Sequence, residues 1–223
     1  MTIRILALCL YCSLVFGLHA PNAAAQSTAS RSAEPELDLI GNRFRPLQYA
    51  ELDAAQKAMV QHILEGPRTG VRGPFNTLLR SPEMGDLAQA LGAYVRYGSV
   101  LPATLREMAI IMTAAFWSAE YEWYAHKNAA LEAGLEPAII DAIAARRRPE
   151  SMRTEQAALY EFCRELLNDH RVGDATFAAA IDAFGEQGVV DIIGTVGYYS
   201  LVSMVLNVDE YPLPEGVAPQ FER

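Results

Sequence analysis

The stretch that decides the fold is LREMAIIMTAAFWSAEYEWYAHKNAALEAGLE, Leu105–Glu136. Apolar residues at helical spacing predict two consecutive helices, with a break at residues 117–119. Gly134 is typical of the position just beyond a helix end. Glu107, in the first helix, lies 19 residues before His126 in the second. The pair therefore places one acid and one imidazole on neighbouring helices.

A second carboxylate, Glu122, lies one helical turn before His126, so the two side chains share a helix face. A carboxylate beside an imidazole raises its pKa and orients its tautomer, which gives a proton donor or acceptor near neutral pH. The alternative is an exposed pair that stabilises the helix by a few tenths of a kcal/mol, roughly. Glu107 either faces solvent together with Arg106 or points into a site, because buried carboxylates are rare unless they are paired.

The rest of the chain also favours helices, and no strand pattern competes with them. The last predicted helix, residues 185–208, is apolar on nearly every face, which predicts a membrane span or a buried helix. Asp191, Asn207 and four glycines within it favour a central buried helix. The sequence therefore predicts an all-α fold, with further helices over residues 52–64, 82–97, 136–147, 154–168, 174–184 and 185–208.

The first 25 residues have the layout of a secretory signal peptide. Arg4 precedes an apolar run, and Ala23-Ala24-Ala25 offers a small-residue cleavage site. We expect cleavage after Ala25, a periplasmic or secreted location, and no stable membrane insertion afterwards; the alternative is an uncleaved anchor. The predicted organisation is a signal peptide at 1–25, a flexible N-terminal arm at 26–46 and one helical domain at 47–223.

The charge of the chain argues against nucleic acid as a partner. The formal net charge is −9, and it becomes −10 after cleavage because Arg4 is the one charged residue of the segment removed. An acidic protein repels phosphate backbones. The basic run Arg146–Arg148 suits a solvated helix end more than an anion site.

Cysteine and histidine usage leaves little room for thiol or metal chemistry. Cys163 alone remains after cleavage, on a predicted helix where a small buried apolar group is expected. The sequence has no His-Glu-x-x-His motif and no cysteine pair, so no metal site is predicted.

The Glu107 and His126 spacing resembles the signature of the carboxymuconolactone decarboxylase family, which also contains alkyl hydroperoxidase D. In the hydroperoxidase branch the pattern is Glu, eleven residues, Cys-x-x-Cys, three residues, His. Here the cysteine positions hold Ala119 and Glu122. The chain is therefore similar to a non-thiol branch that keeps the scaffold without the cysteines.

The resemblance implies an antiparallel helical bundle of the alkyl hydroperoxidase D type that forms a homo-oligomer, a trimer or a hexamer. It implies a cofactor-independent carboxy-lyase acting on a small carboxylated lactone or related carboxylic acid, like 4-carboxymuconolactone decarboxylase. An alkyl hydroperoxidase-like oxidoreductase is disfavoured because the cysteine pair is missing, and a non-catalytic small-molecule-binding protein on the same fold is the other alternative. Export argues against the namesake substrate, whose catabolism is expected in the cytoplasm.

The resemblance also assigns the site residues. His126 is expected to act as general acid and base, with Glu107 and Glu122 tuning it and relaying protons. Trp123 is expected to form a pocket wall, although an aromatic stripe on this helix also suits a core or a subunit interface. Two residues outside the signature, Arg80 and Tyr97, are expected to bind the substrate, with the Arg80 guanidinium on its carboxylate.

Overall fold

The computed structural model describes residues 34–221, and within them the chain is all α-helical with no strand. This confirms the predicted fold class. The helices are α1 (Ala54–Glu65), α2 (Phe75–Leu78), α3 (Pro82–Ala93), α4 (Ala103–Phe116), α5 (Glu120–Glu132), α6 (Pro137–Ala144), α7 (Thr154–Asn168) and α8 (Asp174–Asp209), with a 3₁₀ turn at Tyr49–Glu51 and a π-helical turn at Tyr94–Gly98.

Local sequence signals account for most helix ends. The Asp53 carboxylate caps α1 by accepting a hydrogen bond from the Gln56 amide at 2.8 Å. Pro82 begins α3, where its fixed backbone angle suits the first helical position. Gly134 follows α5 with φ +84°, a left-handed conformation that glycine adopts without a Cβ clash. The two signature helices are therefore bounded where the sequence predicts.

Helix α4 is the centre of the bundle, because it packs against α5, α6, α7 and α8. All its side chains from Met108 to Ala115 are buried. Each large apolar side chain buried in this way stabilises the fold by about 1.5–3 kcal/mol. Glu107 lies on the same buried helix, so its carboxylate needs a partner inside the protein.

Helix α8 is central but not buried all round. Gly185, with φ +66° and ψ 177°, interrupts it, so the segments before and after this residue are distinct helices. By length and composition α8 could cross a membrane, but 56% of its most apolar window is buried inside the protein. One apolar stripe stays exposed, which the prediction of a buried helix did not anticipate; it comprises Val190, Ile193, Met204 and Val208.

The turn after α3 is held in place by Asp191 of α8. The sequence predicts one helix as far as residue 97, but α3 ends at Ala93 and a π-helical turn follows. The buried Asp191 carboxylate accepts hydrogen bonds from the Tyr94 hydroxyl at 3.0 Å, the Ser99 hydroxyl at 2.8 Å and the Val100 amide at 2.9 Å. These bonds explain why a charged residue sits in an apolar helix.

The described part of the N-terminal arm is anchored rather than flexible. Residues 34–46 form no helix, but the backbone amides of Asn42, Arg43 and Phe44 donate to Asp209 Oδ1 at 3.2, 2.9 and 2.8 Å. Three amides on one buried carboxylate hold this segment against the end of α8. The predicted signal peptide, its cleavage site and residues 26–33 lie outside the described residues.

Replacing Asp209 by alanine is expected to lower the free energy of unfolding by roughly 3 kcal/mol, because three backbone amides lose a charged acceptor. Urea denaturation measures this change. The matched control is Asp182→Ala, since Asp182 is an exposed aspartate in the part of α8 before Gly185. Equal stability of the two variants would show that Asp209 does not anchor the arm.

Candidate active site

Helices α4 and α5 bring Glu107, His126 and Glu122 together as a carboxylate–histidine trio. His126 Nδ1 lies 2.6 Å from Glu107 Oε2, and His126 Nε2 lies 3.1 Å from Glu122 Oε1. All three side chains are buried, with 7% or less of each exposed. Nδ1 is hydrogen-bonded to Glu107, and Nε2 lies at ion-pair distance from Glu122, so both ring nitrogens face carboxylate oxygens, which favours the imidazolium form.

The environment stabilises this charged form. Burial by itself lowers the pKa of His126, but the Glu122 charge and the hydrogen bonds to Glu107 and Glu122 outweigh it, so the pKa rises from 6.5 to about 9. Burial raises the pKa of Glu107, yet the hydrogen bond and charge of His126 outweigh burial and lower it overall. His126 is therefore protonated at neutral pH, with the carboxyl groups of Glu107 and Glu122 beside it.

The trio opens on one side into a cavity of about 310 Å³. Glu122 and His126 line it, whereas Glu107 lies behind His126 and does not. The solvent side of the trio is therefore the Glu122 carboxylate and the edge of the imidazole. A small molecule in the cavity would meet these two groups, while Glu107 stays protected.

The opposite walls of the cavity are cationic and aromatic. They are contributed by the loop before α2, α2 itself, the π-helical turn, α5 and α8, and they contain Arg68, Arg72, Arg96, Phe75, Tyr97, Tyr121, Tyr198 and Tyr199. Apart from Glu122 the cavity lining holds no carboxylate. An anionic molecule is therefore favoured in it over a cationic one.

Tyr199 packs against the reactive ring. Its ring lies edge-on to His126, with centroids 5.0 Å apart, and it is buried. Burial, and then the Glu122 charge, raise the pKa of Tyr199 well above 10. This phenol stays protonated and is able to donate a hydrogen bond inside the cavity.

Two sequence predictions for the cavity need correction. Trp123 does not form a wall, because it points into the core, with its ring 5.3 Å from that of Phe221. Arg80 does not reach the cavity, because its guanidinium donates to the Asn76 carbonyl and to the Arg45 carbonyl. Arg80 therefore ties the N-terminal arm to α2. Tyr97 does line the cavity and is half exposed at its edge.

The sequence reasoning missed the cavity arginines Arg68, Arg72 and Arg96 and the pair Tyr198 and Tyr199. Two signals pointed to them. The loop GPRTGVRGP carries two arginines among glycines that allow close approach. The two tyrosines break an otherwise apolar helix.

The positions that hold thiols in the hydroperoxidase branch hold Ala119 and Glu122. The cysteine of the described residues, Cys163, is buried in the core, and burial raises its pKa to about 12. A thiol that stays protonated is a poor nucleophile. Across residues 34–221 no group of three His, Cys, Asp or Glu side chains is arranged to hold a metal ion.

Comparison with known sequences places this site in a family. Residues 82–159 match the model of the Carboxymuconolactone decarboxylase family, a segment that contains the whole trio. This segment of the chain therefore carries the family's sequence pattern. No curated protein sequence matches the chain.

Comparison with solved structures supports the helical fold. One match is a crystal structure of a protein of unknown function from Agrobacterium tumefaciens, named as a candidate antioxidant defence protein AhpD. It has 15% sequence identity and a TM-score of 0.54, over 62% of this chain and 97% of that one. At this identity the likeness concerns the fold alone.

Proposed function

We propose that the protein is a cofactor-independent carboxy-lyase that acts on a small carboxylated lactone or related acid, in the manner of 4-carboxymuconolactone decarboxylase. The observation that carries the proposal is the buried His126, which is hydrogen-bonded to Glu107, ion-paired with Glu122 and open to an arginine-lined cavity. This arrangement combines a stored proton with a cationic environment, and decarboxylation needs both.

The proposed reaction breaks the bond between a substrate carbon and its carboxylate. The electron pair of that bond moves into a conjugated carbonyl to give an enolate, and CO₂ leaves. One proton then adds to carbon, so the balance is substrate carboxylate plus a proton giving product plus CO₂. The enzyme supplies the proton and stabilises the negative charge that develops on the enolate oxygen.

We assign the proton to His126 as general acid. Because its pKa is about 9, His126 is protonated at neutral pH and is loaded before the substrate enters. Glu122 lines the cavity beside the imidazole, 3.1 Å from Nε2, so it relays the proton from Nε2 to the substrate. Glu107 accepts a hydrogen bond from His126 Nδ1 and stabilises the imidazolium, so we assign it as a positioning residue.

Arg96 and Tyr199 are the groups suited to the developing enolate. Both line the cavity. Burial alone lowers the pKa of Arg96, but the neighbouring Tyr199, Tyr97, Glu107 and Glu122 outweigh it and raise the pKa. Arg96 therefore stays a cation next to the trio, where negative charge on the substrate would form.

The test is turnover of γ-carboxymuconolactone by the purified protein, followed by substrate absorbance and CO₂ release. Because the proposed export of the chain argues against this substrate, related small lactone and keto acids belong in the same assay. Turnover without any added cofactor supports the proposal. No CO₂ from any of these acids would favour the alternative, a small-molecule-binding protein on this fold.

We also propose that the protein is a homo-oligomer, a trimer or a hexamer. The exposed stripe of α8 is one supporting feature, and α3 adds a second at Met84, Leu87, Leu91 and Tyr94. The two helices approach each other where the Tyr94 hydroxyl donates to Asp191, the neighbour of Val190. Exposed apolar side chains grouped in this way are typical of protein–protein contacts.

Introducing charge on this surface is expected to lower the oligomeric state. The double variant Leu87→Glu, Val190→Glu places carboxylates on side chains that are 77% and 63% exposed, so the fold of the monomer tolerates them while an apolar interface does not. Sedimentation velocity measures the mass. The control Ala178→Glu adds charge at an exposed position of α8 outside the stripe. An unchanged mass for the double variant would place the interface elsewhere.

A further inference from the structure

We propose that Arg68 and Arg72 form a carboxylate-recognition site that selects the substrate of this chain, separate from the carboxylate–histidine trio. That the bound carboxylate belongs to a substrate rests on the proposed function. The recognition itself is a binding property of the resting protein.

Over the residues that the structure describes, the arginines of the cavity have no carboxylate partners in salt bridges. Several arginines of the described chain form salt bridges, such as Arg43 with Glu210 and Arg153 with Glu136. Among residues 34–221, none of the three cavity arginines has such a partner; these are Arg68, Arg72 and Arg96. In a protein with a net charge of −9, three arginines without a carboxylate partner around one cavity point to an anionic ligand.

The Arg68 guanidinium is packed into the cavity wall with one donor that no described residue satisfies. Its guanidinium lies over the Phe75 ring, 5.1 Å from the ring centroid, and its Nε is buried without a hydrogen-bond partner in the described residues. A Cβ on Gly92 would collide with this guanidinium and with the Tyr198 ring, so glycine leaves the space that both need. A buried guanidinium donor without a partner is costly, and a ligand carboxylate would satisfy it.

Arg72 approaches the same space from the rim. It is exposed, and its guanidinium donates a hydrogen bond to the Thr69 hydroxyl at 3.1 Å. Gly73, with φ +64°, turns the chain directly after it, which sends Arg72 to the cavity edge while Phe75 enters the core. Arg68 within the wall and Arg72 at the rim offer donors to a carboxylate from two sides.

Arg68 and Arg72 lie outside the segment that matches the family. The segment that matches the family, residues 82–159, contains the trio and Arg96 but neither Arg68 nor Arg72. The shared segment therefore supplies the proton-transfer groups, and a loop outside it supplies the two arginines. A carboxylate held by the loop leaves the remainder of the molecule directed toward Glu122.

The experiment is a calorimetric titration of the full-length protein with succinate as the probe and succinamide as its neutral analogue. We expect succinate to bind and succinamide not to bind. The variant Arg72→Gln is expected to weaken succinate binding by at least about tenfold, the effect of losing a charge-assisted hydrogen bond. Because Arg72 is exposed, this variant keeps the fold. Arg68→Gln is expected to weaken binding further.

The matched control is Arg171→Gln, which removes the same charge from an exposed position away from the cavity. It is expected to bind succinate as the wild type does. Equal affinity in Arg72→Gln and Arg171→Gln, or no succinate binding by the wild type, would overturn the proposal.

Failure of the proposed function gives a different pattern. The variant Glu122→Gln is expected to bind succinate at least as well as the wild type, because it removes a negative charge from the cavity, yet to lose turnover. If the wild type binds succinate through Arg68 and Arg72 but decarboxylates nothing, the carboxy-lyase is refuted and the recognition site stands. If it decarboxylates a substrate but the arginine variants bind normally, the recognition site is refuted.

Discussion

Replacing His126 by glutamine is expected to reduce decarboxylase turnover by about a hundredfold to ten-thousandfold, the usual contribution of a positioned general acid. Glutamine keeps a polar side chain of similar reach but stores no proton between the carboxylates of Glu107 and Glu122. The measurement is CO₂ release at saturating substrate, with the substrate concentration dependence recorded separately. A loss in kcat with little change in KM is the expected pattern, because the missing proton matters only in the transition state.

Two further variants make this result specific. Glu122→Gln is expected to lose turnover to a similar degree, since the relay between His126 Nε2 and the cavity is broken. Lys127→Gln, the next residue of the same helix, is expected to leave turnover unchanged, because Lys127 does not line the cavity. Turnover of His126→Gln within a few-fold of the wild type would assign the proton to another group.

The pH dependence of turnover tests the same role of His126 as general acid. Because the acid form of His126 is the active one, turnover is expected to be maintained below the pKa of about 9 and to fall as the pH rises through it. In Glu107→Gln the descending limb is expected to move to lower pH, since one of the two carboxylates that raise the pKa is gone. A descending limb at the same pH in both proteins would contradict this role of Glu107.

The same Glu107→Gln variant is expected to lower the free energy of unfolding by about 3 kcal/mol or more. The variant leaves the buried imidazolium with Glu122 as its remaining neighbouring carboxylate, in a medium that solvates the charge poorly. Urea denaturation at neutral pH measures the change. Glu132→Gln, at an exposed position of α5, removes the same charge and is expected to change stability by less than about 0.5 kcal/mol.

The stability of the wild type is also expected to depend on pH in a defined window. The folded pKa of His126, about 9, lies above its unfolded value of 6.5. The stabilisation is therefore fully present below pH 6.5, declines between pH 6.5 and about 9, and is absent above that. It amounts to something on the order of 3 kcal/mol. If His126→Gln loses stability over the same window to the same extent, another group is responsible.

The sequence predicted the parts of the site that depend on local geometry. Helical periodicity and Gly134 define the two signature helices, and a spacing of four residues places Glu122 beside His126 whatever the rest of the fold does. The approach of Glu107 to His126 is not local. It was expected from the family resemblance, and the structure contains that contact.

The remaining site residues depend on tertiary structure. Trp123 follows Glu122 directly, so it points to a different side of α5, and that side faces the core. Arg80 follows α2, and the carbonyls of Asn76 and Arg45 occupy its guanidinium. Arg68 reaches the cavity from the loop before α2, with its guanidinium beside Gln89 and Gly92 of α3. No periodicity in the sequence encodes that path.

The glycine at position 92 allows relatives of this protein to be sorted. Gly92 lies inside the family segment, whereas Arg68 and Tyr198, the two side chains that occupy the space beside it, lie outside. A relative with a larger residue at the equivalent position has no room for both groups in this arrangement. On the proposal that Arg68 binds the acid, the residue at this position separates relatives that keep the arrangement from those that must move Arg68 or Tyr198, and it offers a place to change selectivity without altering the histidine or its carboxylates.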